Sequence, residues 1–453
     1  MLKLLRFDSI LNYFKSTDRS KNIKANIVGS FFLKGIGILL SLAVVPLTMD
    51  YISPYHYGVW ITLSSVIGWL SFFDIGFGNG LKNNLVQAIA HGDEKLAKIY
   101  VSTTYAIITI IISTVWIIAV VFSWFINWSE FLNVEKIANS DLYFVVLIVL
   151  TTFSFQFILG LLNTILASVQ KPVVTAVINV ITQLLILVGI LILTKTTEGS
   201  LFNLSLVLGG INTSVLFFFS IYLFKAQLSK YAPNVNFINF SYAGDLFKIG
   251  VSFFILQIIA LIYYETNNII ITKVLSPIDV TVYNLAFKYM SVLGMAFGII
   301  LTPFWGAFIE ASALKDYAWM KTVKKKLYLG YCFFVIFAAI LVAGSSYFYN
   351  LWFGNAINVS LNLTILMGIW QLFNMWNSLH SILIYGFGKV KVQLFSSIFV
   401  GLINIPATIY LCKLFGLEGV AISQILLALS IAWIGPVQLN KLINEKARGI
   451  WNK

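Results

Sequence analysis

Three ionisable side chains stand in otherwise apolar sequence: Lys34, Glu265 and Lys288. A charge in hydrocarbon costs roughly 2.5–3.5 kcal/mol on insertion scales, so each needs water, a counter-charge or a ligand. Lys34 lies well inside the first apolar run. It either faces a wet cavity or an anion, or reaches back to the nearer interface on its long stem. Glu265 and Lys288 fall at similar depth in consecutive runs, where they could pair structurally. Unpaired, Glu265 suits proton or sodium coupling, and Lys288 suits an anionic headgroup. Asn267 and Asn268 carry amides able to hydrogen-bond a polar ligand in a cavity, or to bridge neighbouring helices.

A second cluster comprises Asp74, Gly76, Gly78, Gly80 and Lys82. Successive backbone N–H groups of such a stretch can form a concavity for an anionic group on the cytoplasmic side, with Lys82 adding charge. The competing reading is a glycine-rich turn that ends one helix and starts the next, capped by Asp74. The Gly76-x-Gly78-x-Gly80 run follows an apolar span and not a strand, so it is no dinucleotide fingerprint. With three His (His56, His91, His380) and two Cys (Cys332, Cys412), no catalytic or metal-ligand constellation forms. His380, beside Asn374 and Asn377, reads as a packed histidine before a proton switch. Neither an enzyme nor a cofactor is expected.

The elements that position these groups are membrane spans. The chain is 59% hydrophobic and 10% charged, with a mean hydropathy of +0.90. That excludes a soluble globular domain. The runs predict an all-α polytopic membrane protein with twelve transmembrane helices, at 27–49, 55–75, 102–124, 142–166, 173–194, 201–224, 246–271, 282–309, 327–350, 361–386, 394–415 and 418–437. With the N-terminus inside, 24 of the 30 Lys and Arg fall in cytoplasmic segments. Only Lys136, Lys195, Lys273 and Lys413 fall opposite, so both termini are expected in the cytoplasm. The excess of positive charge therefore belongs to membrane orientation and gives no support for nucleic-acid binding. Residues 1–26 form a basic cytoplasmic segment without a cleavable signal. Its Leu4, Phe7, Leu11 and Phe14 suit an interfacial helix, or the segment is a basic tail.

Residues 225–245 separate an N-lobe, 27–224, from a C-lobe, 246–437, and 438–453 form a cytoplasmic tail. The lobes look duplicated. Ser53-Pro54 with Val59-Trp60 recurs as Ser276-Pro277 with Val282-Tyr283, an offset of 223. Glu198-Gly199 recurs as Glu418-Gly419, and Ile165-Leu166 before Lys171 recurs as Ile382-Leu383 before Lys389. Six spans per repeat keep both repeats in one orientation, so two pseudo-symmetric lobes should face each other across a central cavity.

One stretch carries a family resemblance. Tyr57-Gly58-Val59-Trp60, Asp74-Ile75-Gly76-Phe77-Gly78-Asn79-Gly80-Leu81-Lys82-Asn83, Gly92-Asp93 and Tyr100-Val101-Ser102-Thr103 form one ungapped motif. Between its parts, Leu81, Leu85, Ile89, Leu96 and Ile99 predict an amphipathic helix on the membrane surface. The motif resembles the bacterial polysaccharide flippases, the O-antigen or capsule repeat-unit translocases (Wzx-type) of the multidrug/oligosaccharidyl-lipid/polysaccharide exporter superfamily. The resemblance implies a cytoplasmic (inner) membrane transporter for undecaprenyl-pyrophosphate-linked oligosaccharides, in contact with membrane lipids and other polysaccharide-assembly proteins. Alternatives in the same superfamily are a multidrug/cation antiporter and a lipid II-type flippase. A scaffold or polymerase subunit is disfavoured by the short outer loops.

Overall fold

A computed structural model describes residues 19–74, 76–134, 137–169, 171–354, 357–389 and 391–452. The interfacial N-terminal helix considered above lies outside the described residues. Among those described, the regular structure is helical throughout. In chain order the principal helices are α1 (Arg19–Gly68), α2 (Phe77–Ala90), α3 (Glu94–Ser123), α4 (Asn139–Leu159) and α5 (Leu161–Ser168). They continue with α6 (Pro172–Thr196), α7 (Leu201–Lys225), α8 (Ala243–Tyr264), α9 (Thr266–Val274) and α10 (Pro277–Ala313). The last are α11 (Tyr317–Phe353), α12 (Leu361–Tyr385), α13 (Lys391–Ala432) and α14 (Ile434–Ile443).

Each of the twelve predicted runs falls on helical structure. Two of the boundaries lie inside continuous helices: α1 breaks at Ser53 (φ 74°) and α13 at Gly416 (φ 61°). Eight helical segments among the described residues are long and apolar enough to cross a membrane. The runs at 246–271 and 361–386 are helical but not among those eight; in the second, Gln371, Asn374, Asn377 and His380 dilute the apolar character.

Each half of the chain builds its own core. One buried cluster is assembled from Tyr263 onwards, and two others from residues between Tyr51 and Leu246. The halves meet where the duplicated Ser-Pro motifs lie. A Cβ built on Gly58 would overlap the carbonyl oxygen of Pro277, while Thr281 Oγ1 donates to the carbonyl of Pro54 at 2.7 Å. Positions 58 and 281, and 54 and 277, are counterparts at the 223-residue offset. The contact is therefore reciprocal, as a pseudo-twofold relation requires. Around it, Val45 and Met49 of α1 share a small buried cluster with Leu285 and Ile357, and Trp352 Nε1 donates to the Leu42 carbonyl at 2.8 Å. The molecule is closed at this end, called the Ser53 end below.

The Asp74–Thr103 motif turns out to be a fastening. Gly76 takes φ 81°, the left-handed region that glycine enters without a Cβ penalty, and so starts α2. Leu81 and Leu85 are fully buried against Leu161, Leu162, Ile165 and Leu246, so the apolar face of α2 rests on protein. This corrects the expectation of a helix lying on lipid. At Gly80 a Cβ would overlap the carbonyl of Leu246, and Asn84 Nδ2 donates to the Asp245 carbonyl at 3.4 Å. Gly92 (φ 73°) turns the chain, and Asp93 caps α3 by accepting from Leu96 N at 2.8 Å.

Ser102 Oγ then accepts from Asn234 N at 3.0 Å, and Thr103 Oγ1 accepts from Asn239 N at 3.0 Å. Lys230 pairs with Glu94 at 2.6 Å, the only ion pair among the described residues, and that hydrogen bond with its charge raises the Lys230 pKa. The motif thus clamps the 226–242 connection and the start of α8 onto the N-terminal half.

Gly80→Ala should therefore disrupt the α2–α8 contact, because the obstruction is backbone and cannot rotate away. Gly210→Ala, with open space at the same test, should be neutral. Thermal unfolding of both detergent-solubilised variants checks this; equal midpoints would contradict it.

Candidate functional site

Two cavities lie between the halves. The larger, about 1080 Å³, is walled on one side by α1, α5, α6 and α7, and on the other by α10 and α12. Its polar lining follows helical spacing. On α6, Thr175, Asn179 and Gln183 are four residues apart and share one face. On α12, Gln371, Asn374 and Ser378, three and four residues apart, likewise share one face. Asn163 and Asn212 add two more carboxamides, and Lys34, exposed on α1, supplies the cation. The lining contains neither Asp nor Glu. The α6 stripe runs from Pro172 to Ile186, fourteen residues at about 1.5 Å each, or roughly 21 Å of depth. Lys34, Thr175, Asn179 and Ser378 lie in the parts of their helices away from the Ser53 end, and Gln371 and Asn212 lie near mid-helix.

The smaller cavity, about 300 Å³, lies toward the Ser53 end and is lined by Trp60, Ser64, Ser65, Tyr264, Glu265, Asn268, Asn284 and Phe287 among others. A chain of hydrogen bonds crosses it. Asn284 Nδ2 donates to Asn268 Oδ1 at 2.7 Å and Asn268 Nδ2 donates to Ser65 Oγ at 2.8 Å, with the Glu265 carboxylate lining the same cavity beside Gly68 of α1. Nearby, Thr62 and Thr272 hydroxyls lie 2.6 Å apart. Tyr264, 45% exposed, lines both cavities.

The expected site residues separate accordingly. Lys34 stands in the large cavity, and Glu265 and Asn268 in the small one. Asn267 does not face a cavity. Only 1% exposed, it donates to the Tyr263 carbonyl and the Tyr283 hydroxyl, both at 3.2 Å, and accepts from Gln424 Nε2 at 3.1 Å. It bridges helices, because one step around a helix turns a side chain by about 100° from its neighbour Asn268.

Glu265 and Lys288 form no ion pair among the described residues. Glu265 lies beside Gly68 of α1, and Lys288, half-buried on α10, lines neither of these cavities. Similar depth did not bring similar azimuth. In the glycine cluster, the carbonyl of Leu246 occupies the space a side chain at Gly80 would fill. Gly76 is buried, Gly78 is half-buried and Lys82 points to the exposed side of α2. At Gly80 the cluster is a packing joint between α2 and α8. The side chain of Asp74 lies outside the described residues. His380 is fully buried, with Nε2 2.7 Å from the Tyr328 hydroxyl and Nδ1 2.8 Å from the Trp376 carbonyl, a packed histidine as expected.

The carboxamides of the large cavity escaped the sequence reading. Their signal was present as the Thr175, Asn179, Gln183 spacing, a polar stripe inside a run whose mean hydropathy is 2.7.

Known proteins of similar sequence and shape agree with this architecture. A family model described as polysaccharide biosynthesis protein matches residues 23–305. A protein of Yersinia pseudotuberculosis named for O-antigen export is 23% identical over 79% of this chain and 81% of its own length. A protein of Salmonella typhi named for O-antigen transport is 21% identical over 88% of this chain and 91% of its own. Among solved structures, the inward-facing conformation of a multidrug resistance MATE family transporter of the MOP superfamily superposes with a TM-score of 0.69 at 13% identity, covering 92% of this chain and 96% of that one. An outward-facing conformation of such a transporter superposes with a TM-score of 0.65 at 14% identity, covering 93% and 96%. The fold is that of these transporters, and the chain belongs to the polysaccharide biosynthesis protein family.

Proposed function

We propose that this chain is a flippase of the bacterial inner membrane, moving undecaprenyl-pyrophosphate-linked oligosaccharide repeat units from the inner to the outer leaflet. The observation that carries the reading is the lining of the large cavity: one lysine, six carboxamides, several hydroxyls and no carboxylate. A glycan bearing a diphosphate loses water when it enters the membrane. Asn and Gln amides replace that water with donors and acceptors, and Lys34 offsets the charge of the diphosphate. The polyprenyl tail can stay in lipid throughout. The relatives named for O-antigen export and transport support the substrate class.

The 24-to-4 distribution of Lys and Arg supports a cytoplasmic location for both termini. The large cavity then lies in the cytoplasmic half and the closed Ser53 end at the outer leaflet, the arrangement of a carrier waiting for cargo. Alternating access follows if the two lobes rock about the pseudo-twofold axis, opening the Ser53 end as the other closes. Glu265, beside the bonds that join the halves, is the group we assign to proton or sodium coupling. Lys288 serves as a reserve cation for the headgroup when the outer side opens. A cation antiporter on the same fold would need an anionic cavity, and the one carboxylate lining either of these two cavities is Glu265 in the smaller.

Reconstituted into liposomes with lipid-linked repeat units extracted from the host, the protein should expose glycan to an external glycosidase. Lys34→Gln should slow this about tenfold or more, equivalent to at least ~1.4 kcal/mol. An unchanged rate would remove Lys34 from the path. Glu265→Gln should leave binding intact and abolish acceleration by an imposed proton or sodium gradient; persistent acceleration would rule out its coupling role.

A further inference from the structure

We infer that the smaller cavity is a saccharide subsite, partitioned from the large cavity by the Tyr264 ring, that takes the leading end of the glycan. The inference rests on the flippase reading and deepens it. Location is the first argument. The lining residues come in pairs at the repeat offset: Trp60 with Tyr283, Ile61 with Asn284, and Ser64 with Phe287. A cavity whose two walls are counterparts lies on the pseudo-twofold axis, where any cargo passing between the lobes must travel. The reciprocal Gly58–Pro277 and Thr281–Pro54 contacts close the same axis beyond it. Tyr264 belongs to both linings, so the chamber continues directly from the large cavity.

Chemistry is the second. A pyranose ring presents a face of C–H bonds and a rim of hydroxyls. It fits a site with aromatic planes and a few polar groups at their edges. Trp60, Tyr264 and Phe287 supply the planes, and Ser64 and Asn284 the rim. The volume, about 300 Å³, sits at the small end of ligand cavities and suits a terminal unit in place of a whole repeat. Because the polyprenyl tail stays in lipid beside the diphosphate, the far end of the glycan must lead. A hydroxyl arriving there competes for the Asn268–Ser65 bond, which joins the two halves, so occupancy loosens the closed end.

The test uses the full chain in lipid nanodiscs and two probes: a polyprenyl-pyrophosphate-linked monosaccharide and the lipid-linked repeat unit extracted from the host. Trp60→Ala and the cavity-filling Ser64→Phe should each weaken binding of the repeat unit about tenfold and leave the monosaccharide carrier within about twofold. Two variants of opposite design keep the test open if one fails to fold. Equal loss for both probes, or loss for neither, would overturn the subsite while the flippase reading stood. If the wild-type chain bound neither probe, the flippase reading itself would fall, and the subsite with it.

Discussion

Two proline carbonyls hold one end of this molecule shut. Pro54 and Pro277 stand at equivalent places in the two repeats, and each presents its carbonyl to the other half of the chain. The two contacts are geometrically alike and chemically different. At Gly58 the absence of a side chain admits the backbone; at Thr281 a hydroxyl donates to it. Buried carbonyls need partners or close packing, so neither can be given up without a replacement. Everything else follows from which end is tied. Away from that contact, α1, α6, α10 and α12 border the large cavity.

That cavity gains its character from residues that do little for the fold. The apolar stripes of the helices face lipid or their own lobe's core, and the positions left over face the gap. Carboxamides tolerate that gap because each offers both donors and acceptors to water or to a sugar, without the insertion cost of a charge. Asn212 shows the compromise: its Nδ2 is anchored to Gln156 Oε1 at 2.9 Å while the residue still lines the cavity. Lys34 bears the one charge of the lining, on the first helix, where a small rotation of the lobe would move it relative to a bound diphosphate.

Much of this was legible in the sequence. Each run that hydropathy marked falls on helical structure, the 223-residue offset anticipated the reciprocal contact, and Lys34 lines the central cavity, one of its two readings. What failed was direction. Amphipathicity placed an apolar face on α2 but could not say whether lipid or Leu246 would cover it. Depth along a helix put Glu265 and Lys288 level, whereas azimuth turned Glu265, and not Lys288, to the cavity beside Gly68. Asn267 and Asn268, adjacent in sequence, went to a helix bridge and a cavity. The glycine run suggested anion binding, yet Gly80 serves close backbone approach and Gly76 a left-handed turn, uses that become visible only when the partner at Leu246 and the backbone angle are known.

The most direct test of the account is the fate of lipid-linked repeat units in cells lacking this protein. The account predicts intact undecaprenyl-linked oligosaccharide accumulating on the cytoplasmic leaflet, with surface glycan lost and restored by the wild-type chain. Normal surface glycan together with reduced dye or cation efflux would contradict it and make the protein an antiporter on a shared fold.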